Sequence, residues 1–262
     1  MTWNTAQQTT RQATRQTPMR LSQTRIRAIV RKELRDYRRN RFVTSSMGVM
    51  PLLFVVLPII DIFKLGSGAS GAKLDNVIGL ALMYLLLIPA LVPAVVAAYS
   101  VVGEREQGTL EPVLTTPVRR EEFLLGKALA AFLPTLAIAY LMFGIFLAVV
   151  GLFAQQDVAT DVFKTSRILP QVLFTPLLAG WSIWAGIAIS SKVGDVRVAQ
   201  QLGTLVSLPP LAVTSLMGFG VIRPTLGLGL VLGAALLVID IGAWRVVSML
   251  FDRERMISGI KA

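Results

Sequence analysis

The chain has 262 residues, of which 54% are hydrophobic and only 16% charged, and it carries a formal net charge of +11. Soluble domains average about 25% charged residues, so this composition, with a mean hydropathy of +0.65, places the chain among membrane proteins. It has no cysteine and no histidine, which excludes disulfides, thiolate metal sites and Cys nucleophiles and removes the commonest general base and metal ligand.

Residues 1–20, MTWNTAQQTTRQATRQTPMR, are rich in Thr, Gln and Arg and contain no apolar h-region. They read as a disordered cytoplasmic tail with no secretory signal. Their basic charge suits anionic lipid rather than nucleic acid. Residues 21–262 read as one membrane domain. In LSQTRIRAIVRKELRDYRRNR, Ile26, Ile29, Val30, Leu34 and Tyr37 recur at helical spacing between basic residues. That pattern predicts an amphipathic helix lying at the lipid headgroups with its apolar stripe down.

Six apolar segments follow, at about 42–63, 77–102, 126–153, 168–190, 199–221 and 225–247, each near the roughly 20 residues a bilayer core needs. The fifth is the most polar, with Gln200, Gln201, Thr204, Ser207 and the pair Pro209–Pro210. Six spans leave both ends on one side. The basic residues set that side: 21 of the 26 Lys and Arg fall in the N-terminal arm, in the connections after spans two and four, and at the C-terminal end. The positive-inside rule then makes both termini and the 103–125 loop cytoplasmic, in a multi-pass protein of the plasma (inner) membrane. The connections on the other side, KLGSGASGAKLD and AQQDVATDVFKTSR, are short and polar, the second with room for a helical turn.

Several motifs are weighed and set aside. GASG at positions 68–71 has the form of a serine-protease motif, but the chain has no histidine to activate Ser70. LLGKAL lacks the earlier glycine and the following Ser/Thr of a phosphate-binding loop, so no nucleotide hydrolysis is expected of this chain. Pro89, Pro93, Pro170, Pro176, Pro209 and Pro210 sit inside spans. Each frees a carbonyl that a lipid-facing helix cannot leave unpaired, so these regions should face protein or a polar cavity. Pro89, Pro93, Thr204, Ser207 and Pro209 are the candidate cavity residues. Asp240 is the one acid deep in a span. It reads first as a partner of Arg245 or a helix–helix contact, and otherwise as a functional group. The spacing Gly229-x-x-x-Gly233 offers a small-residue packing face, and Trp181, Trp184 and Trp244 read as core or interfacial anchors.

The most patterned stretch is GEREQGTLEPVLTTPVRREEFLLGK, with five acids, four bases and two prolines in 25 residues. Gly103 and Gly108 allow turns as span two leaves the membrane. Thr109 is a candidate N-cap for a short helix through about Leu114, with Glu111 and Pro112 in its first turn. Thr116 and Pro117 are a candidate cap and first position for the next helix, placing Glu121 and Glu122 in its second turn. A capped helix held crosswise between two spans is a lever; a well-capped helical hairpin with no partner is the plainer alternative.

Glu104-Arg105-Glu106-Gln107-Gly108-Thr109-Leu110-Glu111, Leu114-Thr115-Thr116-Pro117, then Glu122 and Leu125-Gly126-Lys127, resemble the signature loop of the type-2 ABC transporter permease family. The basic arm resembles that family's cytoplasmic elbow helix. The resemblance implies an all-α integral membrane protein: six transmembrane helices, an elbow helix and a short coupling helix at about 109–114. It implies a non-enzymatic permease working by alternating access, paired with a second copy or a sister permease. Two copies of a separate ATP-binding subunit, holding ATP and Mg, would dock below. Glu104, Arg105, Glu106, Gly108, Thr109, Leu110, Glu111, Leu114, Thr116 and Pro117 would then form the coupling interface, with Glu104, Arg105 and Glu106 making ion pairs at the base of span two. No cofactor or metal is expected in this chain. Export of a hydrophobic or amphiphilic small molecule is the leading expectation. Sodium extrusion, metal-centre maturation or a non-transporting signalling or scaffold role are the alternatives.

Overall fold

The computed structural model describes residues 21–65, 71–108, 118–219 and 226–250. Among these every regular element is helical: α1 (Gln23–Arg39), α2 (Arg41–Phe63), α3 (Gly71–Glu106), α4 (Arg120–Phe153), α5 (Gln156–Val162), α6 (Thr165–Lys192), α7 (Val196–Gly218) and α8 (Leu226–Leu250). Five of them, α2, α3, α4, α6 and α8, are long and apolar enough to cross a membrane. The protein is therefore an all-helical integral membrane protein. Helix α7 is 23 residues long, but its glutamines, hydroxyl residues and paired prolines leave it less apolar than the other five. Helix α5 is the turn expected in the AQQDVATDVFKTSR connection.

Helix α3 is the axis of the bundle. Its 36 residues run to about 54 Å at the usual rise of about 1.5 Å per residue, well beyond a hydrocarbon core of about 30 Å. It is longer at both ends than its apolar segment predicts. It packs against α6 and α7 on one side and α2 on the other, and nearly all of its residues from Ile78 to Glu104 that face neighbours are buried. The fit is close because the contact residues are small. A methyl group on Gly186 of α6 would meet the Ala97 methyl at 2.8 Å and the Ala94 carbonyl at 3.2 Å. The hydroxyl of Ser190, buried in α6, donates to the Ala98 carbonyl at 2.5 Å and accepts from the Val102 N–H at 3.0 Å. A side-chain hydroxyl thus sits within the α3 ladder near its C-terminal end, an arrangement associated with local bending.

For two of the prolines a cross-helix donor meets the freed carbonyl. Pro210 cannot bond to the carbonyl of Val206, one turn earlier; the indole N–H of Trp181 donates to that oxygen at 2.9 Å. Pro176 leaves Val172 in the same position, and the Tyr140 hydroxyl donates to it at 3.0 Å. Gly233 packs on Leu173 and Leu177 of α6, as a small-residue face should.

Three expectations are corrected. Gly103 is not at a turn: it lies inside α3, where a methyl group would meet the Tyr99 ring at 2.7 Å, so a flat ring over the helix, not backbone freedom, requires glycine. The described part of α4 begins at Arg120, not at Pro117, and Glu122 falls in its first turn, where its carboxylate accepts from the Arg119 N–H at 3.1 Å. Thr116 and Pro117 lie outside the described residues. The apolar stripe of α1 does not simply point into lipid. Val30, Leu34 and Tyr37 pack on Phe123, Leu124 and other core residues, and α1 lies against the first turns of α4.

Candidate functional site: the base of the coupling loop

The 103–125 loop leaves α3 and returns as α4, and its two described ends meet on α1. Helix α1 is held there by three successive contacts. Glu122 accepts from the Ser22 N–H at 2.8 Å and pairs with Arg25 at 3.3 Å. Gly126 admits the Ile29 side chain so closely that a methyl group would meet Ile29 Cγ2 at 2.5 Å. One turn on, Lys127 reaches Glu33. Asn40 then closes the arm. Its N–H bonds the Asp36 and Tyr37 carbonyls to end α1, and its side chain accepts from Phe42 and Val43 to start α2.

Lys127 is the centre of the site. Its side chain is fully buried and its ammonium is coordinated three ways: by Glu33 Oε1 at 3.0 Å, by the Ser100 carbonyl at 2.8 Å and by Glu104 Oε2 at 2.9 Å. The contacts to Glu33 and Ser100 are hydrogen bonds and the contact to Glu104 is an ion pair. Glu33 and Glu104 are also bridged by Lys32, which lies 3.1 Å from Glu33 and bonds Glu104 at short range. Two cations and two anions from α1, α3 and α4 thus share one network, buried except at Lys32, which also pairs with Asp36 at 3.4 Å. Burial alone would raise the Glu33 carboxyl, but Lys127 and Lys32 outweigh it and hold it below its ordinary value. Burial likewise opposes charge on Lys32, and Glu33 and Glu104 overcome it and hold the ammonium above the usual lysine range. The phenol of Tyr37 is pushed well up, first by burial and then by the surrounding acids Glu33, Glu104 and Asp36.

The predicted coupling residues divide. Glu104 turns inward to this network. Arg105 crosses to the end of α6, donating to the carbonyls of Ser191 and Val193 at 3.3 Å each, where a cation complements the negative end of the helix dipole. Glu106 is exposed. Gly108 has a φ of 66°, a left-handed turn that glycine adopts without strain. Thr109, Leu110, Glu111, Leu114, Thr116 and Pro117 lie outside the described residues. Lys32, Glu33, Tyr37 and Lys127 were not among the predicted site residues. One signal for Glu33 was present: it stands four residues after Ile29 and four before Tyr37, an acid on the apolar stripe of its own helix.

The candidate cavity residues are not gathered in a single copy of the chain. Pro89 and Pro93 are buried within α3, and Ser207 is buried and bonds the Gly203 carbonyl. Thr204 lines an open concavity with Arg197, Gln200 and Gln201 on one face of α7. Pro209 lines a separate apolar cavity of about 330 Å³ with Trp181, Leu232 and Leu236, between α6, α7 and α8.

A polytopic helical membrane protein whose polar loop is anchored at both described ends on the basic helix α1 has the build of a transporter's membrane component. Residues 27–232 match the family model described as ABC-2 family transporter protein, and the chain belongs to that family. It is 37% identical over 181 residues to the "Probable ABC transporter permease protein NosY" of Stutzerimonas stutzeri, covering 66% of this chain and 62% of that protein. It is 36% identical over 184 residues to the protein of the same name from Pseudomonas aeruginosa, covering 67% of this chain and 63% of that one. The chain thus spans under two thirds of the length of the relatives it matches.

Proposed function

We propose that this chain is the membrane permease subunit of an ATP-driven ABC transporter, coupled through the loop after α3 to a separate ATP-binding subunit. The observation that carries the reading is the Lys32–Glu33–Glu104–Lys127 network. It fixes both ends of the loop to one base. A loop that only joined two spans would need no such anchorage, whereas a lever between a nucleotide-driven partner and the bundle does. The segment 109–114, which lies outside the described residues, is the part that docks on the partner, and Glu106 and Gly108 precede it.

In this reading α7 also crosses, as the fifth span in chain order, and brings the number to six. Its 23 residues give about 34 Å, enough to cross. Its polar face, with Gln200, Gln201 and Thr204, looks toward a second permease copy or a sister permease across a central pathway. Helix α1 is the elbow at the headgroup level, and both termini are cytoplasmic. Two copies of the partner subunit bind ATP and Mg and hydrolyse it; this chain supplies the path. The apolar lining between α6, α7 and α8 suits export of a hydrophobic or amphiphilic small molecule by alternating access.

The test is a pull-down of the tagged protein from its native membrane in mild detergent, beside a Glu111→Arg/Leu114→Asp variant. An ATP-binding subunit recovered with the wild type and lost with the variant supports the reading. Full retention by the variant, or no ATPase with the wild type, refutes it.

A further inference from the structure

Asp240 takes no part in the loop anchorage. It stands near the middle of α8 and is 9% exposed. Its Oδ1 is buried with no hydrogen-bond partner. The expected pairing with Arg245 is not made: Arg245 is exposed, and among the described residues no cation forms an ion pair with Asp240. The other bases of this region are turned elsewhere, Lys127 to Glu33 and Glu104, and Arg120 to the Ser248 carbonyl. The carboxyl group rests on α6 at Gly180, where a methyl group would lie 2.8 Å from Oδ2.

Asp240 is among the residues lining a cavity of about 310 Å³ between α4, α6 and α8. The other walls include Leu129, Phe132, Pro176, Ile183, Trp184 and Leu237. Leu129 and Leu237 are exposed on the outer surface of the bundle, where hydrocarbon chains lie. The Trp184 ring is backed by Trp244, with centroids 4.9 Å apart. A carboxylate in such surroundings is expensive unless a partner meets it, and the described protein supplies none. The cavity offers what an amphiphilic cation needs: an acid, apolar walls for its tail, and the Trp184 indole among those walls.

We propose that this cavity binds a lipophilic monovalent ammonium compound from the bilayer, its charged head on the Asp240 carboxylate and its chain against Leu129 and Phe132. The proposal does not rest on the transport reading, because binding is measured without ATP or a partner subunit. The probe is 11-bromoundecylammonium, with 11-bromoundecanol as the neutral control, added to the protein in phosphatidylcholine nanodiscs. The readout is bromine quenching of tryptophan fluorescence. The ammonium should quench saturably and the alcohol should not. A charge-assisted contact is worth about 1.5–3 kcal/mol, so Asp240→Asn should weaken the apparent affinity about tenfold or more, while Asp240→Glu keeps most of it. Equal binding of ammonium and alcohol to the wild type overturns the proposal, as does unchanged ammonium binding by Asp240→Asn. Either result leaves Asp240 a packing residue at the contact of α8 with Gly180. Should Asp240→Asn not fold, the wild-type comparison of the two probes decides.

Discussion

Replacing Lys127 by methionine keeps the length of the side chain and removes its charge. The structure sets the expected loss. Glu33 and Glu104 have side chains only 4% and 10% exposed, and each would lose an ammonium at about hydrogen-bond distance. Breaking a buried ion pair from one side costs about 3–5 kcal/mol, because the surviving charge stays buried without its partner. Lys32 still bridges both acids but is 40% exposed, so part of the loss is compensated and the lower end, about 3 kcal/mol, is expected. At about 2–4 °C per kcal/mol for a chain of this size, the melting midpoint in dodecylmaltoside should fall by about 6–12 °C. The second half of the prediction is the rescue. Neutralising the acids as well, in Lys127→Met/Glu33→Gln/Glu104→Gln, leaves only Lys32, which is 40% exposed and keeps Asp36 at 3.4 Å, and should recover most of the loss, since a buried charged network often adds little net stability over a neutral replacement. A Lys127→Met protein that melts like the wild type would refute the reasoning. So would a triple variant no better than the single one.

Two further outcomes follow from the same site. The folded-state value of Glu33 lies below its ordinary one, so this carboxylate stabilises the docked α1 at pH above about 4.3, the unperturbed glutamate value. That contribution is lost as the pH falls through the lower folded value; limited proteolysis of the arm should therefore stay constant from pH 7 to 5 and rise only in more acid buffer. Glu33→Gln should blunt this acid-dependent rise. Gly126→Ala places a methyl group against Ile29, a branched side chain with little freedom to move. It should raise protease cleavage within α1 at neutral pH, and Gly126→Ala/Ile29→Ala should reverse the effect; equal cleavage of Gly126→Ala and wild type would show that the contact is not close.

The class of the protein was legible because it depends on quantities that add along the chain. Apolar runs near 20 residues and the concentration of bases in four segments needed no tertiary information. The prolines were also informative, since a missing N–H must be answered somewhere; that Trp181 and Tyr140 answer for Pro210 and Pro176 needed the packing of neighbouring helices. The helical phase of α1 was likewise clear, but its partner was not. A stripe of Ile29, Val30, Leu34 and Tyr37 fits lipid and protein equally well by composition, and Gly126 decided for protein by letting α4 approach. The loop motif implied ion pairs of Glu104, Arg105 and Glu106 at the base of span two, without naming their partners. Glu104, Glu122 and Lys127 in fact turn inward to α1, because two buried carboxylates and a buried ammonium are tolerable only together, and residues 33, 104 and 127 meet only when three helices converge. Sequence fixes each residue's charge; whether that charge is met by water, lipid or a distant partner depends on which helices lie within a few ångströms of it.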